Sequence, residues 1–250
     1  MQPFYSLDEI KIDLDKGTWL RAVKLYQEGK VGNFETQGPS FTAQVQGTHM
    51  YNVSVNHKDF DVGFCDCYLG QREILCKHMI AVAIYSLKQG KPLTEAEQQF
   101  VDHFEFVPDS NLDIDDPEQF IILKAQIKSA LEYIAPYEGP SRIWFQYQDN
   151  LSKGCTKLHL ILSRLPINPK TVKFILGLLL RIDRRLSSGG VDDSDGTVGD
   201  FIEQVVDALA NASSAHPEII PEFKRLLNRE TTFGWEEKLV EIYKKHKSNK

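Results

Sequence analysis

Every second residue is apolar in two neighbouring segments of the chain, 41–46 and 51–56. Because the side chains of a strand alternate between its two faces, this pattern predicts a hairpin with one buried face. Residues 31–37 predict a further strand, joined to the hairpin by a glycine-proline turn. The alternation returns in residues 60–64, where Phe60, Val62 and Phe64 are the apolar positions. We therefore expect a short antiparallel sheet.

One helix is predicted before this sheet in the sequence, and another is predicted after it. Residues 18–29 carry apolar side chains at helical spacing, with Thr18 as the expected N-cap and Gly29 as the end. The segment after Cys76 is apolar on nearly all sides, which predicts a buried helix that ends at Gly90.

Beyond residue 93 the strand pattern disappears and helical patterns follow one another. Asp116 and Asn168 each precede a proline, the arrangement of an N-cap before the first helical position. Gly154 is expected to break one of the helices. The predicted helices lie near 117–135, 141–165, 169–187, 197–213, 218–228 and 235–246.

The overall charge limits the function classes. The chain has 35 acidic and 29 basic side chains, a net charge of −6, which argues against a protein coated in basic surface. Its apolar runs are much shorter than a membrane span, and its first residues lack the pattern of a signal peptide. We expect a cytoplasmic protein, with neither a membrane nor a small-molecule substrate among its partners.

Charge is nevertheless unevenly distributed along the helical region. Residues 101–138 hold nine acidic and two basic side chains (−7), whereas residues 142–185 hold nine basic and two acidic ones (+7). One interpretation is that these helices pair with each other. The alternative is a basic face for DNA or for an acidic partner. The candidate residues for nucleic-acid binding are Lys170, Lys173, Arg181, Arg184 and Arg185.

Three of the four cysteines lie within twelve positions of one another, and a histidine follows the third. They form the pattern Cys65-x-Cys67, then Cys76-x-His78. Zinc prefers four nitrogen or sulfur ligands in a tetrahedron, and this set supplies them. Buried free cysteines around a core histidine would not need this clustering, and redox pairs usually have a Cys-x-x-Cys spacing. The sequence predicts one structural zinc ion.

The spacing also predicts where each ligand lies. Residues two apart in a strand share a face, so Cys65 and Cys67 can both reach one ion. Residues two apart in a helix do not share a face, so Cys76 is expected just before the helix and His78 in its first turn. Cys65 has the parity of Gly63, and the neighbouring apolar residues have the opposite parity. Either the metal lies on the outer side of the strand, or Gly63 marks a bulge.

This motif resembles the SWIM zinc finger family, and the sequence WLRAVKLYQEGKV resembles the helix-then-strand entry of bacterial members. The resemblance extends over about residues 18–90. It implies that Cys65, Cys67, Cys76 and His78 are the ligands of one structural Zn²⁺. It also implies binding to DNA or protein, since such modules occur in Mutator-class transposases, in SWI/SNF-type ATPases and in free-standing bacterial proteins.

The predicted fold is α+β. A ββα-like zinc module with a small antiparallel sheet occupies 1–93, and an all-helical region, expected to act as an interaction scaffold, occupies 94–250. The leading hypothesis is a non-enzymatic binding module for a protein or DNA. One form of this hypothesis makes the chain an accessory to a SWI/SNF-type ATPase. The alternative is an enzyme whose active site lies in the helical half. Cys155 and His159 are four apart there, but no third group is predicted to orient them.

Overall fold

A computed structural model divides the chain by its packing into two compact units, residues 1–102 and 103–250. The α+β class is confirmed, because the first unit contains a four-stranded sheet and the described elements of the second are helical. Within the described part of the chain, no helix has the length and apolar character needed to cross a membrane. The structure describes residues 1–12, 14–100, 104–109 and 112–248.

The four strands pair in chain order, each antiparallel to the next. They are β1 (Val31–Gln37), β2 (Ser40–Gln46), β3 (Met50–Asn56) and β4 (Gly63–Cys65). The predicted hairpin is confirmed, since buried and less buried residues alternate along β2 and along most of β3. The buried face of the sheet is formed by Phe41, Ala43, Val45, Val53 and Val55.

The register of β4 corrects the predicted position of the first cysteine. Cys65 pairs with Val53, and Gly63 pairs with Val55. Residues that face each other across an antiparallel pair point to the same side of the sheet. Cys65 therefore lies on the buried face with the two valines, and the pairing runs through Gly63 without a bulge. Both alternatives from the sequence, an outer metal and a bulge at Gly63, are wrong.

The same register shows why the apolar alternation around β4 does not mark its buried face. Phe60 is buried as expected, but Val62 and Phe64 are each 53% exposed. Phe64 pairs with Ser54, so it lies on the outer face of the sheet. The apolar residues of this segment do not form one buried face.

The helices of the first unit are α1 (Leu7–Ile12), α2 (Lys16–Gln27), α3 (Lys77–Lys88) and α4 (Glu95–Gln98). Helix α3 contacts both α2 and the sheet, and most of its side chains are buried, as predicted. Thr18 is not the N-cap of α2. Asp15 has that position, and its carboxylate accepts a hydrogen bond of 2.9 Å from the Thr18 backbone N–H.

Five longer helices lie in the described part of the second unit. They are α5 (Pro117–Tyr133), α6 (Trp144–Ser163), α7 (Pro169–Ser187), α8 (Thr197–Ala215) and α9 (Glu237–Ser248). Asp116 and Asn168 cap α5 and α7 as predicted. The predicted helix near 218–228 is instead a 3₁₀ segment, Pro217–Leu226, which contains a proline.

Gly154 does not break α6, contrary to the prediction. A Cβ atom at this position would come within 2.8 Å of the Ile134 side chain and 3.1 Å of the Ala130 carbonyl oxygen. The glycine therefore permits α5 and α6 to pack closely, and the helix continues through it.

Candidate metal centre

The four predicted ligands come from three pieces of backbone that the fold brings together. Cys65 ends β4, and Cys67 follows it two residues later. Cys76 is the N-cap of α3, with an extended backbone, and His78 lies in the first turn. The predicted placement of Cys76 just outside the helix is confirmed. A metal bound here connects the end of a strand to the start of a helix.

All four side chains are buried, and one ligand atom from each lies within 4.8 Å of the others. His78 Nδ1 is 3.7 Å from Cys65 Sγ and 3.8 Å from Cys76 Sγ. In a tetrahedral zinc site with Zn–S of about 2.3 Å and Zn–N of about 2.0 Å, neighbouring ligand atoms are about 3.5–3.8 Å apart. The distances therefore fit one zinc ion, with Nδ1 as the histidine ligand.

Backbone N–H groups surround the cysteine sulfurs. The Cys67 N–H lowers the pKa of the Cys65 thiol, and the Met79 N–H lowers the pKa of the Cys76 thiol. The Gly70 N–H donates to Cys67 Sγ at 3.4 Å. Such donors stabilise the thiolate form, which is the form that binds a metal.

The thiols of Cys65 and Cys76 influence each other's pKa through a side-chain hydrogen bond. The hydrogen bond that Cys65 donates lowers the pKa of the Cys76 thiol to about 4, with smaller contributions from His78 and the Met79 N–H. The same hydrogen bond and burial raise the pKa of Cys65. Zinc binding displaces such protons. The loaded site then has a charge of −1 (+2 − 3), which the positive N-terminal end of α3 favours.

The His78 ring is held by stacking. It lies against the Tyr51 ring, with centroids 4.4 Å apart and an angle of 29° between the planes. Its Nε2 atom is buried and has no hydrogen-bond partner among the described residues. A Cβ atom on Gly47 would come within 2.9 Å of that nitrogen. Tyr51 and Gly47 therefore orient the ring so that Nδ1 faces the sulfurs.

Asp66, between Cys65 and Cys67, attaches the metal centre to the outer face of the sheet. Its carboxylate accepts hydrogen bonds from the Asn52 backbone N–H (3.0 Å) and side-chain amide (2.9 Å). Asn52 accepts in turn from Gln44, and Gln44 from Asn33. A row of polar side chains thus crosses the sheet to the metal-binding segment. The role of Asp66 cannot be predicted from the sequence alone, because its partners depend on the strand register.

We expect the Asp66 carboxylate and the Asn52 side chain to be energetically coupled. In a double-mutant cycle of Asp66→Ala and Asn52→Ala, the coupling should be about 1 kcal/mol, the usual contribution of one hydrogen bond. Urea unfolding of the zinc-loaded protein measures it. Strictly additive effects of the two substitutions would show that this hydrogen bond does not support the site.

The five basic residues predicted to bind nucleic acid all lie on α7, but they do not form one surface. Lys170, Lys173 and Arg181 line a common groove. The Arg184 Nε atom donates to the Leu180 carbonyl oxygen, and Arg185 donates to the carbonyl oxygens of Leu131 and Ile134. Arg185 therefore stabilises the end of α5. Lys170 forms an ion pair with Asp115, which lies just before α5.

The environment of Cys155 does not favour a nucleophile. Its thiol lies 4.0 Å from the Thr197 carbonyl oxygen, and burial raises the pKa of this thiol well above its ordinary range. The ring of His159 packs against Phe104, with centroids 4.9 Å apart. The thiol is therefore protonated at neutral pH.

The fold and the ligand set define a structural zinc finger in which a strand end and a helix start share one ion. Residues 51–87 match the sequence model of the SWIM zinc finger family. The match contains all four ligands, so the resemblance stated from the motif is confirmed for this segment. Comparisons with curated proteins and with solved structures gave no significant match.

Proposed function

We propose that the chain is a non-enzymatic interaction protein whose zinc module binds a partner protein. The observation that supports this is the surface of the loop between Cys67 and Cys76. Three of its large apolar side chains are exposed, Tyr68 to 69%, Leu69 to 40% and Ile74 to 49%. Clustered exposed apolar side chains are typical of protein interaction sites.

Local hydrogen bonds hold this loop in one conformation. The Ile74 and Arg72 backbone N–H groups both donate to the Leu69 carbonyl oxygen, at 3.1 Å and 2.9 Å. The Arg72 guanidinium lies over the Tyr68 ring, 3.6 Å from its centroid. A preorganised loop loses little conformational entropy on binding, and tyrosine and arginine are common at the energetic centres of interfaces.

The charge of the first unit favours a protein over DNA as the partner of the zinc module. Residues 1–102 contain ten basic and thirteen acidic side chains, a net charge of −3. Binding to the DNA backbone depends on a concentration of basic side chains. We therefore place DNA second among the partners of this module.

The ligand set supports a structural role for the zinc. Four protein side chains fill the tetrahedron, so no position is left for a water molecule or a substrate. The protonated, buried Cys155 supports the non-enzymatic proposal for the helical half. An enzyme with its active site there remains the alternative.

The SWIM resemblance further suggests a SWI/SNF-type ATPase as the partner. The free cysteines suit a reducing compartment, which supports the proposed cytoplasmic location. Co-purification of such an ATPase with the tagged chain from the native cell would support the accessory role. Purification of other proteins without such an ATPase would exclude the accessory role. The proposal that the loop between Cys67 and Cys76 binds a partner would still stand.

We expect the triple substitution of Tyr68, Leu69 and Ile74 by serine to abolish partner capture, because it removes the exposed apolar surface. Cross-linking and mass spectrometry of the native-cell complex measure the loss. Phe145→Ser is the matched control, since Phe145 is 76% exposed but lies in the second unit. Both variants should retain one zinc ion. Unchanged capture by the triple variant would refute the proposed surface.

A further inference from the structure

The second unit contains a groove of about 710 Å³ between helices α5 and α7 and the 3₁₀ segment Pro217–Leu226. Six of the ten described residues that line it are basic and none is acidic. We call this the basic groove. Its basic residues are Lys124, Lys128, Lys170, Lys173, Arg181 and Arg225.

This concentration of positive charge has few carboxylate partners within the described residues. Lys170 pairs with Asp115, while the other five have no carboxylate of the described residues within ion-pair distance. The chain as a whole has a net charge of −6, so the groove differs in sign from the average surface. Neighbouring like charges repel each other, and an anionic ligand would relieve that repulsion.

The floor of the basic groove is apolar. Ile127 and Leu178 form its base and are almost completely buried, whereas Phe174 is half-buried and packs against the Phe120 ring with centroids 5.5 Å apart. The positive rim therefore surrounds a surface suited to aliphatic or aromatic side chains. A phosphate backbone would use the rim but would leave this floor without a complementary group.

Gly177 is a second, independent feature of the floor. It lies in the interior of α7, where glycine is less favourable than any residue except proline. A Cβ atom there would meet no atom within 4 Å, so packing inside the protein does not require glycine. The missing side chain leaves room for a ligand to approach the backbone of α7.

Contacts within the protein hold parts of the rim in place. The Arg225 guanidinium donates to the Lys173 carbonyl oxygen at 2.7 Å, which connects the 3₁₀ segment to α7. The Lys124 ammonium lies 4.4 Å from the centroid of the Phe120 ring. The groove is thus preformed on two sides.

We propose that the basic groove binds an acidic amphipathic segment of a partner protein. Apolar side chains of the segment occupy the floor, and its carboxylates pair with the six basic residues. Amphipathic helices bind hydrophobic grooves in this way, and charge complementarity sets their specificity. The inference goes beyond the proposed function, because it concerns the second unit and does not depend on the zinc module.

The test uses the full zinc-loaded chain and labelled 20-residue peptides in fluorescence polarisation. The probe peptides have Leu or Phe at positions i, i+3, i+4 and i+7, with Asp and Glu between them. A scrambled peptide of the same composition and a 20-base-pair DNA duplex serve as competing probes. We expect the amphipathic peptides to bind best, with an affinity that falls as salt concentration rises.

Two substitutions test the rim and the floor separately. Arg181→Glu should weaken peptide binding by at least about tenfold, because it reverses a charge of the rim. Gly177→Leu should do the same by filling the floor, and it should not unfold α7, since leucine favours a helix. Arg184→Glu is the matched control on the same helix, outside the groove, and should change binding by no more than about twofold.

Three results would overturn the inference. Equal binding of the amphipathic and scrambled peptides would show attraction by charge alone. Undiminished binding by Gly177→Leu would show that the floor is not used. Tighter binding of the DNA duplex, lost in Arg181→Glu, would assign the groove to nucleic acid instead. The triple serine variant of Tyr68, Leu69 and Ile74 should bind the peptides normally. This proposal and the proposed function can therefore fail independently.

Discussion

Replacing Cys67 with alanine is expected to release the zinc ion and unfold the first unit. The metal is coordinated at the junction of β4 and α3, and α3 supplies much of the buried core of that unit. Apparent zinc binding in small modules contributes roughly 10–16 kcal/mol at pH 7. This contribution is comparable to or larger than the whole free energy of unfolding of a domain, which is roughly 5–15 kcal/mol. Loss of one ligand is therefore expected to unfold the unit rather than to weaken it.

Circular dichroism and amide NMR spectra, recorded with and without a strong chelator, measure this effect. Cys155→Ala is the matched control, because it makes the same substitution in a buried cysteine outside the metal cluster. The control should keep one zinc ion and a folded first unit. Spectra of Cys67→Ala that match those of the native chain, or a thermal transition that the chelator leaves unchanged, would contradict the structural role of the metal.

The second large effect is expected from Gly70→Ala. A Cβ atom on Gly70 would lie 2.2 Å from the Cys65 carbonyl oxygen and 2.6 Å from the Cys65 Cβ atom. Neither atom can move without moving a zinc ligand, and the Gly70 N–H also donates to Cys67 Sγ. We expect a loss of about 3 kcal/mol in the free energy of unfolding, at the upper end of typical overpacking costs, together with weaker zinc binding.

Gly32→Ala is the matched control for this substitution. Gly32 lies in β1, and a Cβ atom there would have no neighbour within 4 Å. Its replacement should change the free energy of unfolding by no more than about 0.5 kcal/mol, as for an ordinary surface substitution. Denaturant unfolding and zinc competition with a chromogenic chelator compare the two variants. Equal stability of the two variants would show that the loop between Cys67 and Cys76 tolerates a side chain at Gly70.

The sequence was sufficient for the metal centre because the constraint on it is local. Four ligands within fourteen positions, two on each side of a short loop, leave few arrangements around one tetrahedral ion. Residues two apart in a helix lie on different faces, so Cys76 and His78 could bind one ion only if Cys76 lay outside α3. The helix caps at Asp116 and Asn168 were predicted for the same reason, since capping depends on neighbouring residues.

The side of the sheet on which the metal lies could not be predicted in this way. A period of two separates the faces of β4 but does not say which face is buried. Exposed Val62 and Phe64 resemble a core-facing pattern, and only the pairing with β3 places Cys65 inside. Gly70 and Asp66 were missed for a related reason, because their contacts depend on folding of the loop and on the strand register.

The helical half shows the same limit. Basic residues of α7 were recognised in the sequence, but their separation into groove residues and the helix-capping Arg185 depends on how α5 and α7 pack. Lys124, Lys128 and Arg225 join the groove from elements far away in the sequence. The apolar floor, which favours a peptide over nucleic acid, appears only when those elements are assembled.

X-ray absorption at the zinc edge of the purified chain measures the metal and its ligands. We expect one zinc ion per chain, with three sulfur ligands at about 2.3 Å and one nitrogen ligand at about 2.0–2.1 Å. A first shell of nitrogen and oxygen alone, or one with fewer than three sulfur ligands, would contradict the assignment of Cys65, Cys67, Cys76 and His78 as the zinc site.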